Sequence, residues 1–245
     1  MIGIGTSGYN YREWRGAFYP ERLRPAAMLP FYAERFTTVE INYTFYRMPS
    51  ASIVAGWAAA TPEGFTFALK APQRITHMRR LADVDDAVRL FCDSIRPLGE
   101  KRGPVLFQLP PSFAKATARL GDLLYMLPPG LRAAFEFRHP SWFADDVYAL
   151  LRSRDAALCI ADTEAGTTPD VETATWGYVR LRDATYSDVE LDRWAARLAR
   201  RSWRDAFAYF KHEETASGPM LAARLSARLG SARSDAPLRD VDVRS

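Results

Sequence analysis

The chain has 245 residues, of which 48% are hydrophobic and 25% are charged, and this composition excludes a disordered or fibrous protein. Its length allows two small domains or one barrel-sized domain, and we favour one. No apolar run approaches the roughly 20 residues needed to cross a bilayer, and no leader precedes the first predicted strand. We therefore expect a cytoplasmic protein without a membrane partner. The net charge of +4 does not by itself identify a nucleic-acid-binding protein.

Short apolar segments with β-forming residues recur along the chain, with helical spacing between most of them. This alternation is typical of βαβ units and a parallel sheet. The eight predicted strands cover residues 2–6, 38–43, 65–70, 104–109, 133–138, 157–162, 177–182 and 206–211. Helices are predicted near 30–36, 51–60, 84–97, 114–127, 144–153, 188–201 and 217–229. The stretch between the sixth and seventh strands is rich in turn residues and has little helical periodicity, so one βα unit is predicted to be degenerate.

Eight such strands predict the α/β class and a single (β/α)₈ TIM-type barrel, a fold that typically takes about 250 residues. We assign the barrel to residues 1–229. A doubly wound open sheet is the alternative, but its glycine-rich phosphate-binding fingerprint is missing. Residues 230–245 contain too few large apolar side chains to pack, so we expect a polar and mobile C-terminal tail.

Polar side chains recur on one face of the predicted strands. Side chains alternate across a strand, so in a barrel one set faces the helices and the other faces the interior. On the second strand, Val39 and Ile41 suit the helix side, which leaves Glu40 and Asn42 inside. The other inward residues lie mainly at the carboxyl ends of strands, where barrel enzymes build active sites. They are Thr6, Ser7, Lys70, Gln108, Glu136, Arg138, Asp162, Tyr178, Arg180, Arg182, Tyr209 and Lys211.

The charges of this lining are unbalanced. It contains five cations and three carboxylates, and the difference is two positive charges; the groups are Lys70, Arg138, Arg180, Arg182 and Lys211 against Glu40, Glu136 and Asp162. Buried charges are costly unless paired, so the set favours a functional site. A small anion such as a phosphate ester or a carboxylate would balance the surplus. The alternative is that Glu40–Lys70 or Glu136–Arg180 pairs simply plug the barrel.

Metal chemistry has little support in the sequence. His77, His139 and His212 are the only histidines, and neither HxH nor HExxH spacing occurs. The two cysteines, Cys92 and Cys159, are too few and too far apart for a zinc knuckle or a disulfide framework. We therefore predict no metal site and no cofactor.

Six linked motifs carry a family resemblance. They are "GTSGYNYREWRGAFYP" (5–20), "EINYTFYRMPS" (40–50), "TPEGFTFALKAPQRITH" (61–77), "LFQLPPSF" (106–113), "FEFRHPSWF" (135–143) and "IADT" (160–163). Together they resemble the YecE-like family, also called domain of unknown function 72, over residues 1–229. The resemblance implies a TIM-type barrel of unassigned activity. Its matching positions are Ser7, Tyr9, Trp14, Glu40, Asn42, Phe45, Tyr46, Arg47, Lys70, Gln108, Glu136, Arg138, Trp142 and Asp162.

The last two strands depart from that family pattern. The seventh strand has "RLRDA" where the family has a stretch like "RLHGR", which places Arg182 at the position of the histidine. The eighth has "YFKHEE" in place of a stretch like "YFNN", which introduces Lys211 and His212.

Three functional hypotheses follow. The first is an enzyme acting on a small anionic substrate, with Glu40, Glu136 and Lys70 as its catalytic residues and the two glutamates as acid and base. Its substrate-binding residues would be Asn42, Tyr46, Arg47, Gln108, Arg138, Trp142, Asp162, Arg180, Arg182 and Lys211. The second is a barrel that binds or processes nucleic acid, with the phosphates crossing the basic mouth and the aromatics after the strands stacking on bases. The third is a scaffold whose mouth is blocked by internal salt bridges. The sequence predicts neither the reaction nor the oligomeric state.

Overall fold

The computed structural model describes residues 1–164, 166–183, 185–212 and 216–234. Eight parallel strands form one sheet in the order β1, β9, β8, β6, β5, β4, β3, β2. A two-residue strand, β7, pairs with β6 in the antiparallel sense. The strands are β1 (Ile2–Thr6), β2 (Thr38–Ile41), β3 (Thr66–Lys70), β4 (Arg102–Gln108), β5 (Ala133–Glu136), β6 (Ala157–Thr163), β7 (Gly166–Thr167), β8 (Gly177–Leu181) and β9 (Ala206–Phe210).

The helices alternate with these strands, which confirms the predicted barrel. They are α1 (Pro25–Ala33), α2 (Tyr43–Tyr46), α3 (Ala51–Ala59), α4 (Asp85–Ser94), α5 (Thr117–Met126), α6 (Asp145–Arg152), α7 (Asp188–Ala199) and α8 (Ser217–Ser234). The described residues between β6 and β8 form β7 and no helix, so the degenerate unit is where it was predicted. No helix in the described ranges is both long and apolar enough to span a bilayer.

Local side chains explain where several helices begin. Ser187 caps α7 in a capping box, in which its hydroxyl accepts the Glu190 N–H and the Glu190 carboxylate accepts the Ser187 N–H at 2.7 Å. Ser50 caps α3 by accepting the Ile53 N–H at 3.3 Å. Pro25 opens α1, because its fixed φ suits the first helical position and its missing N–H is not needed there.

The barrel closes between β1 and β2 by a narrow contact. Ser7 and Glu40 form an isolated parallel bridge, and the Gly8 N–H donates to the Glu40 carbonyl at 2.7 Å. The backbones approach closely just before it, since a Cβ on Gly5 would lie 2.2 Å from the Thr38 carbonyl oxygen. Glycine therefore permits the contact that brings the end of β1 against Glu40.

Two apolar clusters lie on the two sides of the sheet. The larger lies between strands and helices and includes Val39, Ile41, Phe107 and Val179. The smaller fills the barrel interior and consists of Ala68, Leu106, Ala134, Ala157, Cys159, Trp176, Tyr178, Phe207 and Tyr209. For most strands, this division confirms which side chains were predicted to face the helices and which the barrel interior. It also shows that the interior is packed with apolar side chains below the polar residues at the carboxyl ends.

Several predicted boundaries differ from the structure. The first helix begins at Pro25 and not near residue 30, and the fifth strand ends at Glu136 and not at residue 138. The second strand ends at Ile41 and not at Tyr43, because the chain turns into α2, where the Phe45 N–H donates to the Asn42 carbonyl at 3.0 Å. Helix α8 continues through Gly230 to Ser234, so helical structure extends into the segment predicted as a tail. The expected mobility of the rest of the tail concerns residues 235–245, which lie outside the described residues.

Candidate functional site

A network of buried charges crosses the carboxyl end of the barrel, and Arg180 is at its centre. Arg180 lies on β8, and its residue is 0% exposed. Its Nη1 donates to Glu136 Oε2 at 2.6 Å, and its Nη2 donates to Glu40 Oε1 at 2.8 Å. The guanidinium therefore joins the carboxylates of β2 and β5 across the barrel.

Further hydrogen-bond donors contact both carboxylates. Glu136 Oε1 accepts from Gln108 Nε2 at 2.8 Å and from Arg138 Nε at 3.0 Å, and Arg182 Nη1 lies 3.5 Å away. Glu40 Oε2 accepts the Tyr178 hydroxyl at 2.7 Å, and Glu40 Oε1 also accepts the Ser7 hydroxyl. Each carboxylate is thus held by at least three donors.

These contacts keep both glutamates ionised. Burial alone would raise their pKa values, but the charge of Arg180 and the hydrogen bonds from Ser7 and Tyr178 leave the pKa of Glu40 below its usual value. The pKa of Glu136 is also lowered, since Arg180, Arg138 and Gln108 together outweigh its burial. A carboxylate with a lowered pKa is a poor proton donor at neutral pH. The contacts therefore suit two glutamates that stay charged and fixed in position.

Lys70 at the end of β3 has a different environment. The residue is 7% exposed, and its Nζ lies 3.9 Å from the centroid of the Phe45 ring. Within the described part of the chain its ammonium makes no hydrogen bond and no ion pair. Burial lowers the pKa of Lys70 to about 7; the charges of Arg180 and Lys211 also lower it, while those of Glu40 and Glu136 act in the opposite direction. A proton is therefore exchangeable at this amine near neutral pH.

Lys70 faces a cavity of about 460 Å³ at the mouth of the barrel. Lys211 and Asn42 also line it, and Asn42 Nδ2 donates to Ser7 Oγ at 2.7 Å, which connects the cavity to the charged network. Asn42 Oδ1 is buried and has no partner among the described residues. Aromatic side chains form much of the wall, namely Tyr9, Tyr11, Tyr43, Tyr46 and Trp57. The cavity therefore combines amines, an amide and flat apolar surfaces.

The family comparison agrees with this architecture. A family model described as "Protein of unknown function DUF72" matches residues 3–242. The chain belongs to the DUF72 family. A curated relative, the UPF0759 protein YunF of Bacillus subtilis (strain 168), is 31% identical over 156 residues, or 60% of this chain and 54% of the relative. The matched part thus spans about half of that relative's length.

Solved DUF72 structures have the same fold. The crystal structure of a DUF72 family protein from Thermotoga maritima MSB8 has a TM-score of 0.77 at 25% identity, with 94% of this chain and 99% of that chain covered. A DUF72 family protein from Enterococcus faecalis V583 has a TM-score of 0.78 at 19% identity, with 94% and 96% covered. The second likeness concerns the fold alone.

Three residues predicted for the site of this DUF72 chain lie elsewhere. Asp162 pairs in register with the helix-facing Leu181, and it accepts from Tyr186 at 2.9 Å and Thr167 at 2.6 Å on that side of the sheet. Trp142 is fully buried; it stacks on Phe137 with centroids 4.8 Å apart, and its Nε1 donates to the Phe113 carbonyl. Arg47 is exposed at the end of α2 and does not line the cavity.

The displacement of Asp162 changes the charge balance of the mouth. With Asp162 on the helix side, the carboxylates of the predicted lining are Glu40 and Glu136, and Arg180 pairs with both. Arg138 and Arg182 also contact Glu136. The predicted lining therefore has one carboxylate fewer than the sequence indicated.

Several cavity residues were not predicted from the sequence. Ile53 and Trp57 line the cavity from α3, and their spacing of four residues, which puts them on one helix face, was an available signal. Tyr11 comes from the loop after β1 and gave no periodic signal. Among the described residues, no group of three His, Cys, Asp or Glu side chains is placed to hold a metal ion.

Proposed function

We propose that this DUF72 protein is an enzyme that acts on a small anionic substrate, a phosphate ester or a carboxylate, at the mouth of the barrel. The observation that carries the proposal is Lys70, a buried amine that faces the cavity and, among the described residues, has neither an ion pair nor a hydrogen bond. An unpaired buried ammonium is costly. Such a group is typical of functional sites, where burial adjusts a pKa to the chemistry.

Lys70 is the residue that we propose to transfer a proton. Its pKa of about 7 lets it gain and lose a proton near neutral pH, which general acid–base catalysis requires. The sequence suggested Glu40 and Glu136 for that task, but their lowered pKa values and many donors favour another role. We assign them to holding Arg180 and to stabilising positive charge at Lys70.

The cations of the mouth would bind the anionic group. Lys211 lines the cavity beside Lys70, while Arg138 and Arg182 contact Glu136 with side chains 32% and 23% exposed. Like charges around a low-dielectric cavity repel each other, and an entering anion relieves this repulsion. Tyr46, which is exposed, and Trp57 both line the cavity and would contact the apolar part of the substrate.

A ligand screen tests this proposal. We expect phosphorylated and carboxylate metabolites to raise the melting temperature, because a ligand that binds only the folded state stabilises it. Their neutral counterparts, the free alcohols and the amides, should have little effect. Lys211→Met and Arg182→Leu should each weaken the binding of an active anion about tenfold. Arg89→Gln is the matched control, since Arg89 is exposed on α4 and pairs with Asp86. Equal stabilisation by neutral and anionic compounds would contradict the proposal.

The nucleic-acid alternative has one supporting observation. Tyr46 is 72% exposed at the edge of the cavity, and the next residue, Arg47, is also exposed, so a base could stack while a phosphate meets the guanidinium. A single-stranded oligonucleotide separates the two proposals. Binding that weakens steeply with salt, together with no response to any small anion, would favour the nucleic-acid function.

A further inference from the structure

The four lysines of the chain have distinct environments. Lys101 Nζ donates to the carbonyls of Ala58 and Thr61, both at 2.6 Å, and Lys115 Nζ pairs with the exposed Asp146 at 2.9 Å. Lys211 lies in the wall of the cavity. Lys70 alone is both nine-tenths buried and without a polar partner among the described residues. Its amine is therefore the one best prepared to react.

We propose that Lys70 forms a covalent imine with an aldehyde or ketone that also carries an anionic group. This inference rests on the proposed function, because it assigns a substrate class to the same cavity. Lysines act as nucleophiles toward carbonyl groups when an apolar pocket or a neighbouring cation keeps the amine unprotonated. Lys70 has both, since its side chain is buried and the charges of Arg180 and Lys211 act on it; the Phe45 ring, 3.9 Å from Nζ, favours the protonated amine but does not outweigh these effects.

The step balances without a further reactant. The lone pair of the neutral amine attacks the carbonyl carbon, a C–N bond forms, and the carbonyl oxygen takes up a proton. The nitrogen loses one proton to give the carbinolamine, the hydroxyl leaves with a proton as water while C=N replaces C=O, and the nitrogen then loses its second proton to give the neutral imine. The products are one imine and one water from one amine and one carbonyl compound. When the imine is protonated, its positive charge is stabilised by Glu40 and Glu136, whose charges already act on Lys70.

The surroundings of Lys70 meet the other requirements of this reaction. Thr44 Oγ1 donates to the Lys70 carbonyl at 2.6 Å, so the backbone that carries the amine is fixed at the end of β3. The cavity of about 460 Å³ has room for a small carbonyl compound, and its tyrosine and tryptophan walls suit a flat one. Lys211, in the same wall, provides a cation for the anionic group.

The test uses 4-carboxybenzaldehyde, which combines an aldehyde, a ring and a carboxylate, followed by reduction with sodium borohydride and peptide mapping. With only four lysines, each one falls in an identifiable peptide. We expect the reduced adduct on Lys70 to exceed those on Lys101 and Lys115 at least about tenfold. Lys70→Arg should lose this adduct while its melting curve shows that it is folded. Lys115→Gln is the control and should keep the adduct on Lys70.

Two comparison compounds separate the inference from the proposed function. 4-Methylbenzoate has the carboxylate without the aldehyde, and benzaldehyde has the aldehyde without the carboxylate. If 4-methylbenzoate binds but no adduct forms on Lys70, the imine is wrong and the anion site stands. If neither carboxylate binds, both proposals fail. Equal labelling of all lysines, or equal labelling of Lys70 by benzaldehyde, would also overturn the inference.

Discussion

Arg180→Ala should lower the free energy of unfolding by about 5 kcal/mol or more, because it leaves two buried carboxylates without their shared cation. The Arg180 side chain is 1% exposed, and those of Glu40 and Glu136 are 0% and 2% exposed. Water in the space left by the guanidinium can supply hydrogen bonds but not its positive charge, and the two negative charges would also repel each other across the barrel. A loss of this size approaches the whole stability of an ordinary domain.

Urea unfolding followed by tryptophan fluorescence measures this loss. Arg182→Ala is the matched control, since Arg182 contacts the same Glu136 but has a side chain that is 23% exposed, and we expect a loss of about 1 kcal/mol. Replacing the whole group, with Arg180→Met, Glu40→Gln and Glu136→Gln together, should recover much of the stability, because no buried carboxylate is left without its cation. If Arg180→Ala unfolds like the wild type, Arg180 is not the centre of the network.

Lys70→Met should have the opposite effect and raise the free energy of unfolding by about 4 kcal/mol at neutral pH and below. The pKa of Lys70 is about 7 in the folded protein and 10.5 as the ordinary value. Below about pH 7 the amine is charged in both states, so the wild type bears the full cost of a buried charge. Between these two pKa values the unfolded chain binds more protons, so the wild type gains stability as the pH rises.

The pH dependence of this gain identifies its cause. Urea titrations at about pH 6.5, 8.5 and 10 should show the advantage of Lys70→Met shrinking at each step. Lys115→Met, which removes an exposed lysine, should change little and without this trend. A gain that is constant across the three pH values would come from better packing and not from a buried charge. Destabilisation at the lowest pH would show that the ammonium has a partner.

Much of the fold and part of the site could be predicted because side chains alternate strictly along a strand. Large apolar residues precede and follow four polar residues in the sequence, namely Glu40, Gln108, Glu136 and Arg180. The apolar residues suit the helix side of the strand, so each of the four polar residues is predicted to face the barrel interior. The structure brings these four into one hydrogen-bonded network and places Lys70 in the adjoining cavity. The two-residue period of the strands and their order along the chain were sufficient to predict that these residues face the interior at one end of the barrel.

Other features lacked such a signal. The sixth strand reads "ALCIAD" and is apolar on both faces, so the only sign that Asp162 faces the helices was the larger size of Leu158 and Ile160, which lie on the same face of the strand. Trp142 follows a strand, where an aromatic side chain can either pack or contact a ligand, and its stacking on Phe137 depends on the three-dimensional fold. The stretch after Ile41 alternates like a strand but coils into α2. The sequence suggested a pair between Arg180 and Glu136, but the second ion pair, with Glu40, depended on distances across the barrel.

The most direct test of the central claim, an anion site governed by Lys70, is the calorimetric affinity of sulfate at about pH 6 and pH 8.5. Sulfate keeps its charge over this range, so any change comes from the protein. The affinity of the wild type should fall about tenfold as Lys70 loses its proton, while Lys70→Met should bind weakly at both pH values. The variant also separates Lys70 from the nearby His77, whose pKa is lowered by burial and by Lys70 itself. Equal sulfate affinities at both pH values in the wild type, or wild-type affinity in Lys70→Met, would contradict the account.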